Sequence, residues 1–430
     1  MKIVLIGAGS RSFGRGQIAD VLHSKELRGR GVTLTLVDTD DAALETMTKL
    51  AERMKERLDS DVRLESTTDR RKALPGADYV LVAVARRRME LWEQDFRVPL
   101  SYGFRHCLGE NGGPGAVFHA LRSFELVIPI CRDVEELCPD AWLFNFTNPE
   151  ARVLHAVLHL TKVKGVGFCH GVFDALHAIT RYLGRPLDEL DIISAGINHC
   201  YTILRLRDKK TGEDLFPALL RKVAEDKEPR NPLFKKLAEV FGIFTYPSDD
   251  HIGEYLAYGS DYSGVKWHYG RESWPVPRKD VKPQGPSLED YAEGRAPLDD
   301  QIMRPTGELT VPIICDMLLD RGTYRWAVNV LNTGRYIDNL ATDGVVEIPA
   351  TVDRNGIHPM TVGSVPEPFA AVMRTQMSIN ACVTEGYRTR TKRPLLQALL
   401  LDPNVNSVIA AEKLLDYMLG LQREYLPSFA

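Results

Sequence analysis

Apolar residues in the first half of the chain come in short runs, closed in turn by Gly7, Asp38, Arg86, Asn148 and Cys169. Residues 3–6, 32–37, 79–85, 142–149 and 163–168 all read this way. Runs without polar alternation are strands buried on both faces, as in a parallel sheet covered by helices. Helical spacing fills the gaps between them: Ile18, Val21 and Leu22, a helix starting near Ala116, and residues 174–183. Such alternation predicts a doubly wound α/β sheet. A further strand covers 192–199. Past residue 205 charge rises and the period changes. Residues 213–241 read as amphipathic helix, and the Pro- and charge-rich stretch 268–305 as a long connection or a cover over the site. A helix at 311–319, strands at 327–331 and 345–349, and helices at 366–400 and 406–423 complete the chain. The expectation is an N-terminal Rossmann-type domain over residues 1–200 and a C-terminal α+β domain over 201–430.

Length and composition narrow the classes. At 430 residues, 44% hydrophobic and 26% charged, the chain is an ordinary globular protein with room for two domains. A net charge of −4 gives no reason to expect nucleic acid or a membrane surface as partner. The first residues enter a strand without the pattern of a secretory leader, and no apolar run approaches the ~18 residues of a spanning helix. Seven scattered cysteines point to reduced thiols in the cytoplasm.

The first strand leads into Gly7-Ala8-Gly9-Ser10, then a helix, a second strand and Asp38. Glycines at 7 and 9 allow the tight turn and let backbone N–H groups approach a pyrophosphate. Asp38 would accept hydrogen bonds from the ribose hydroxyls of NAD, an arrangement that disfavours NADP. The third fingerprint position holds Ser12. Arg86, Arg87 and Arg88 follow the strand at 79–85, at the sheet edge where α/β proteins bind ligands; an arginine there holds an anionic substrate group or is simply solvated. The Gly-rich loop Gly109-Glu110-Asn111-Gly112-Gly113-Pro114-Gly115 lines a site or makes a plain turn. Asn148, extended ahead of Pro149, suits a hydroxyl or a nicotinamide, or turn chemistry alone. Cys169 ends one strand and His199 another. Together they offer a thiolate and an imidazole to a divalent metal, with other positions left for substrate and water; taken without their company they read more readily as buried structural residues. The stretch 246–255 packs acids, a histidine and tyrosines together, as a solvated loop or as a general base in a cleft.

These motifs, in this order, resemble glycoside hydrolase family 4. The resemblance is carried by Gly7-Ala8-Gly9-Ser10, Gly112-Gly113-Pro114-Gly115, Asn145-Phe146-Thr147-Asn148-Pro149, Gly167-Phe168-Cys169-His170-Gly171 and Gly196-Ile197-Asn198-His199. It continues in Asp249-Asp250-His251 with Glu254-Tyr255, in Asn329 to Gly334, and in Val345-Val346-Glu347-Ile348-Pro349. It implies a lactate/malate dehydrogenase-like fold and a glycosidase that uses NAD and Mn2+, an exception to the usual pair of carboxylates. The implied route oxidises C3 of the sugar, removes the C2 proton, eliminates the aglycone, adds water and returns the hydride. Cys169 and His199 then match the metal ligands, and His170 the group assisting departure of the aglycone. Asn148 and Glu110 match sugar- and metal-proximal positions. For the C2 base the resemblance points to Asp249, with Asp250 its rival and Tyr246 a third. A thiolate is an unusual ligand for Mn2+, so Zn2+ or Ni2+ are competitors and oxidation of Cys169 is expected to matter.

The sugar is not fixed by this. Cys-His at 169–170 resembles members acting on unphosphorylated glycosides. An α-hexuronide, glucuronide or galacturonide, is favoured, its carboxylate held by Arg86, Arg87 or Arg88. A neutral α-glucosidase or α-galactosidase is the alternative. Outside the family the rivals are a plain NAD-dependent sugar or hydroxy-acid dehydrogenase and a silent NAD-binding sensor. Family members are usually homo-oligomers, dimers or tetramers.

Overall fold

The computed structural model describes residues 1–11, 13–264 and 285–430. Its spine is one sheet. The strands are β1 (Lys2–Ile6), β2 (Thr33–Val37), β3 (Arg63–Thr67), β4 (Tyr79–Val82), β5 (Trp142–Asn145), β6 (Lys164–Gly167), β7 (Leu190–Ile197), β8 (Cys200–Asp208), β9 (Thr323–Leu331), β10 (Val345–Asp353) and β11 (Gly356–Pro359). The first six lie parallel in the order β3-β2-β1-β4-β5-β6, the doubly wound arrangement expected. β9 then pairs antiparallel with β6, and β10, β7 and β8 extend the sheet beyond it.

Burial on both faces explains the apolar runs. Ile3 and Leu5 of β1 point into one core and Val4 and Ile6 into the other; Leu81 and Val80 of β4 divide the same way. The first core is closed by the helices Gly14–His23, Asp41–Leu58 and Thr310–Leu319, the second by Gly115–Leu137 and the C-terminal helices.

The departures from expectation have local causes. Residues 213–241 form two helices, Phe216–Glu225 and Pro232–Phe241, because Pro229 and Pro232 cannot continue the first. The span 366–400 also divides, into Glu367–Thr389 and Lys392–Leu401, where Arg390 turns left-handed at φ 57°. The strand at 192–199 is half of a hairpin with β8. β3 is largely exposed and lacks an apolar run to announce it. Of the stretch 268–305, residues up to 284 lie outside the described residues, as does Ser12. From 285 onward short helices, Leu288–Ala292 and Asp300–Met303, pack Tyr291 and Met303 into the first core. All seven cysteines are free. Among the described residues no helix is long and apolar enough to cross a membrane.

Candidate active site

A cleft of about 610 Å³ opens at the carboxyl ends of β1, β2 and β4, within the range of small-molecule sites. Gly7 leaves β1 with φ +92°, and a Cβ there would lie 2.1 Å from the Ala83 carbonyl oxygen. Gly9 N–H donates to Asp38 Oδ2 at 2.8 Å, so the turn and the acid at the end of β2 are built as one unit. Ser10 Oγ accepts from Phe13 N–H at 3.2 Å. Close approach of helix to strand falls to Gly14, where a Cβ would come 2.0 Å from the Ala8 carbonyl oxygen. The third glycine thus exists, two positions beyond Ser12. The cradle kept open by Gly7 and Gly9, with Asp38 beside it, fits the pyrophosphate and ribose of a dinucleotide.

The same cleft reaches Arg86 and Asn148. Asn148 Nδ2 donates to Glu110 Oε1 at 3.1 Å, and Arg88 Nη2 donates to the same oxygen at 2.9 Å. Of the three arginines, Arg88 is therefore joined to the site through Glu110. Arg87 pairs with Glu90 and Tyr425, and Arg86 stands exposed on the cleft wall. The Gly-rich loop is pinned from behind by buried Glu254, whose Oε1 accepts from Glu110 N–H at 2.7 Å and Asn111 N–H at 3.0 Å. Burial, with Glu110 adding, pushes the Glu254 carboxyl up to about 8.

One strand along, Cys169 follows β6 and His199 sits on the β7–β8 turn at φ 61°. Cys169 Sγ and His199 Nε2 are 3.0 Å apart, and His199 Nδ1 has no partner. Burial drives the His199 imidazole well below its ordinary range and the Cys169 thiol well above its own, Glu347 adding to the latter. A neutral imidazole facing a sulfur is a donor pair suited to a divalent cation, whose charge would favour the thiolate. Among the described residues no cluster of three or more His, Cys, Asp and Glu forms around this pair.

His170 caps the helix Gly171–Leu183, with Nδ1 2.8 Å from Glu308 Oε1. Its ring is half-exposed while Glu308 is buried, and that bond raises the affinity of the imidazole for its proton. Nothing in the sequence linked Glu308 to His170.

The acids of the 246–255 stretch separate. Asp249 spends both carboxylate oxygens on a backbone end: Oδ2 accepts from Leu233 N–H and Oδ1 from Phe234 N–H, each at 2.9 Å. It caps the helix Pro232–Phe241, whose own N-cap residue Asn231 supplies no side-chain bond. Asp250 turns the other way, with Oδ1 2.8 Å from His251 Nδ1 and accepting from Ser248 Oγ at 2.7 Å. The His251 ring centroid is 4.9 Å from that of His199 and 5.3 Å from that of Tyr246. Tyr246 in turn lies 5.2 Å from His199 and donates its hydroxyl to Asp174. Burial opposes charge on His251, but Asp250 outweighs it and the ring holds its proton more tightly than usual. The sequence placed His251 in the Asp249-Asp250-His251 motif but gave it no role of its own; its place after two acids was the available signal.

Fold and site together define an α/β enzyme with a dehydrogenase-type nucleotide-binding half and a Cys–His pair at the neighbouring strand end. The chain belongs to the family 4 glycosyl hydrolases: residues 2–185 match the family 4 glycosyl hydrolase model and residues 194–405 its C-terminal domain. It is similar to an α-glucosidase of Erwinia rhapontici, 30% identical across 99% of this chain and 98% of that one. An α-galactosidase of Bacillus subtilis (strain 168) is also 30% identical, covering 100% and 99%. An α-galacturonidase of Lachnoclostridium phytofermentans is 25% identical over 99% and 97%. Among solved structures, a 6-phospho-α-glucosidase from gut microorganisms, in complex with NAD and Mn2+, superposes with a TM-score of 0.83 at 19% identity, covering 100% of this chain and 99% of that one. A malate dehydrogenase from Plasmodium falciparum, in complex with NADH, gives 0.52 at 12% identity over 90% and 99%. The dehydrogenase-like fold expected from the sequence is the one found.

Proposed function

We propose that this glycosidase cleaves unphosphorylated α-glycosides using NAD and a divalent cation, Mn2+ being the expected one. The observation that carries the reading is the adjacency of two sites: the nucleotide cleft ends at Asn148 after β5, and the Cys169–His199 pair begins after β6, the next strand. When bound, the nicotinamide supplies an acceptor for hydride from C3 of the sugar and the cation withdraws charge from the O2/O3 region.

The residues of the chain do the rest. Gly7, Gly9, Ser10 and Asp38 seat the nucleotide; Cys169 and His199 hold the cation. Asn148, steadied by Glu110, orients the sugar hydroxyls. Asp250 with His251 takes the C2 proton, and Tyr246 is the other group near enough to His199 to compete for that role. His170, its far nitrogen fixed by Glu308, delivers a proton to the departing oxygen. Asp249 is assigned to the architecture of this cluster rather than to proton transfer, because both its oxygens already accept backbone N–H groups.

An α-hexuronide is the favoured substrate, since exposed Arg86 offers a guanidinium on the cleft wall. A neutral α-glucoside or α-galactoside is the second reading, supported by the two relatives at 30% identity. The deciding experiment follows p-nitrophenyl α-glucuronide, galacturonide, glucoside and galactoside with NAD+, Mn2+ and reductant, at both nitrophenol and NADH absorbance. Nitrophenol release that needs both additives, without NADH build-up, is the expected result. NADH accumulation without aglycone release would instead make the protein a dehydrogenase.

A further inference from the structure

Behind the active-site loops lies a small cavity of about 10 Å³, lined among others by Asn111, Arg152, Asn198, Tyr255 and Gln376. That is room for a single atom-sized guest. Asn198 lines it with an unpartnered donor and acceptor, Nδ2 and Oδ1, and three further lining side chains bring N–H donors that have no partner: Arg152 Nη1, Asn111 Nδ2 and Gln376 Nε2. They are 2%, 4% and 1% exposed respectively, so solvent does not satisfy them. Arg152 Nη2 donates to Gln376 Oε1 at 3.4 Å, which leaves the amide nitrogen of Gln376 unused.

The charge matters more than the count. Arg152 forms no ion pair among the described residues; Asp402 and Glu254 act on it only at longer range. Burial raises the pKa of both acids, Glu254 up to about 8, and so disfavours the charged form of each. An isolated buried guanidinium is costly unless something anionic accompanies it. Water would accept hydrogen bonds in this space but would leave the charge uncompensated. We propose that the cavity is an anion site that takes a single halide, chloride under ordinary conditions, on Arg152, Asn111 and Gln376. The three loops of the active site meet around it. Asn111 follows Glu110, Arg152 stands in the first turn after Asn148-Pro149, and Asn198 precedes His199. A bound halide would fasten them together, and this inference does not depend on which glycoside is cleaved.

The test uses the full chain at fixed ionic strength, exchanged from sodium gluconate into sodium chloride or bromide. The expected result is a halide-specific, saturating rise in Tm of about 3 °C, absent in Arg152→Met. Crystals grown in bromide should show an anomalous peak beside Arg152. That peak alone supports the proposal even if Arg152→Met does not fold. Equal Tm in gluconate and halide, with density that refines as water and gives no anomalous signal, would overturn it. A halide effect on Tm without a peak at Arg152 would overturn it as well.

Discussion

Replacing Asp249 separates the two roles that its sequence context permits. Its carboxylate accepts the N–H groups of Leu233 and Phe234, each at 2.9 Å, and Pro232 ahead of them has no N–H to satisfy. Losing an N-cap acceptor costs about 0.5–2 kcal/mol. Here two donors would be left unpaired in a site where the residue is only 9% exposed, so Asp249→Ala should cost roughly 2–3 kcal/mol. Asp249→Asn keeps one acceptor but turns an amide nitrogen toward the other N–H, for roughly half that loss. Urea unfolding reads the stability change as a lower midpoint at constant slope. Aglycone release, measured well below the transition, should stay within about tenfold of the parent for Asp249→Asn, against the 10²–10⁴-fold expected for loss of a general base. A fall in kcat of a thousandfold with unchanged unfolding would refute the cap assignment and return Asp249 to proton transfer.

Three further outcomes follow from the same geometry. Gly7→Ala would set a Cβ 2.1 Å from the Ala83 carbonyl oxygen at a φ of +92°; NAD affinity by calorimetry should drop more than tenfold, and parent-like binding would contradict the cleft assignment. The folded Glu254 carboxyl lies at about 8 against an ordinary 4.5. Between those values the native state holds a proton that the unfolded chain has released, so stability falls as pH rises from about 4.5 to 8; Glu254→Gln should flatten that part of the Tm–pH curve, and an unchanged slope would mean that Glu254 is ionised when folded. Chelation should cut aglycone release more than a hundredfold with recovery on adding Mn2+. Cys169→Ser should show the same loss while NAD binding persists, and full activity after chelation would remove the cation from the mechanism.

What could be read in advance follows from how local each signal is. Five of the six parallel strands were visible because each is buried on both faces and so carries a largely apolar run. Gly7, Gly9, Asp38, Asn148, Cys169 and His199 were visible because each sits at or just past the end of such a run, where a sheet edge presents side chains. β3 and the division of residues 213–241 were not, since an exposed edge strand has no apolar run and two prolines outrank a continuous amphipathic pattern.

Roles set by distant partners leave no mark of that kind. Gly14 takes the place of the third glycine, and only the lack of room there, where an added Cβ would lie 2.0 Å from the Ala8 carbonyl oxygen, shows it. Glu308 meets His170 across a separation that no spacing rule spans. Asp249 and Asp250 make the point most directly. They are neighbours of the same chemical type, and the resemblance to a family favoured the first as base. The helix Pro232–Phe241, however, begins at a left-handed Asn231 that cannot cap it, so its N–H groups take an acid from sixteen residues away. That demand claims Asp249 and leaves Asp250 to face His251 and the metal-ligand candidates. The identity of the base is thus decided by where a helix lacks its cap, which is a property of the folded chain.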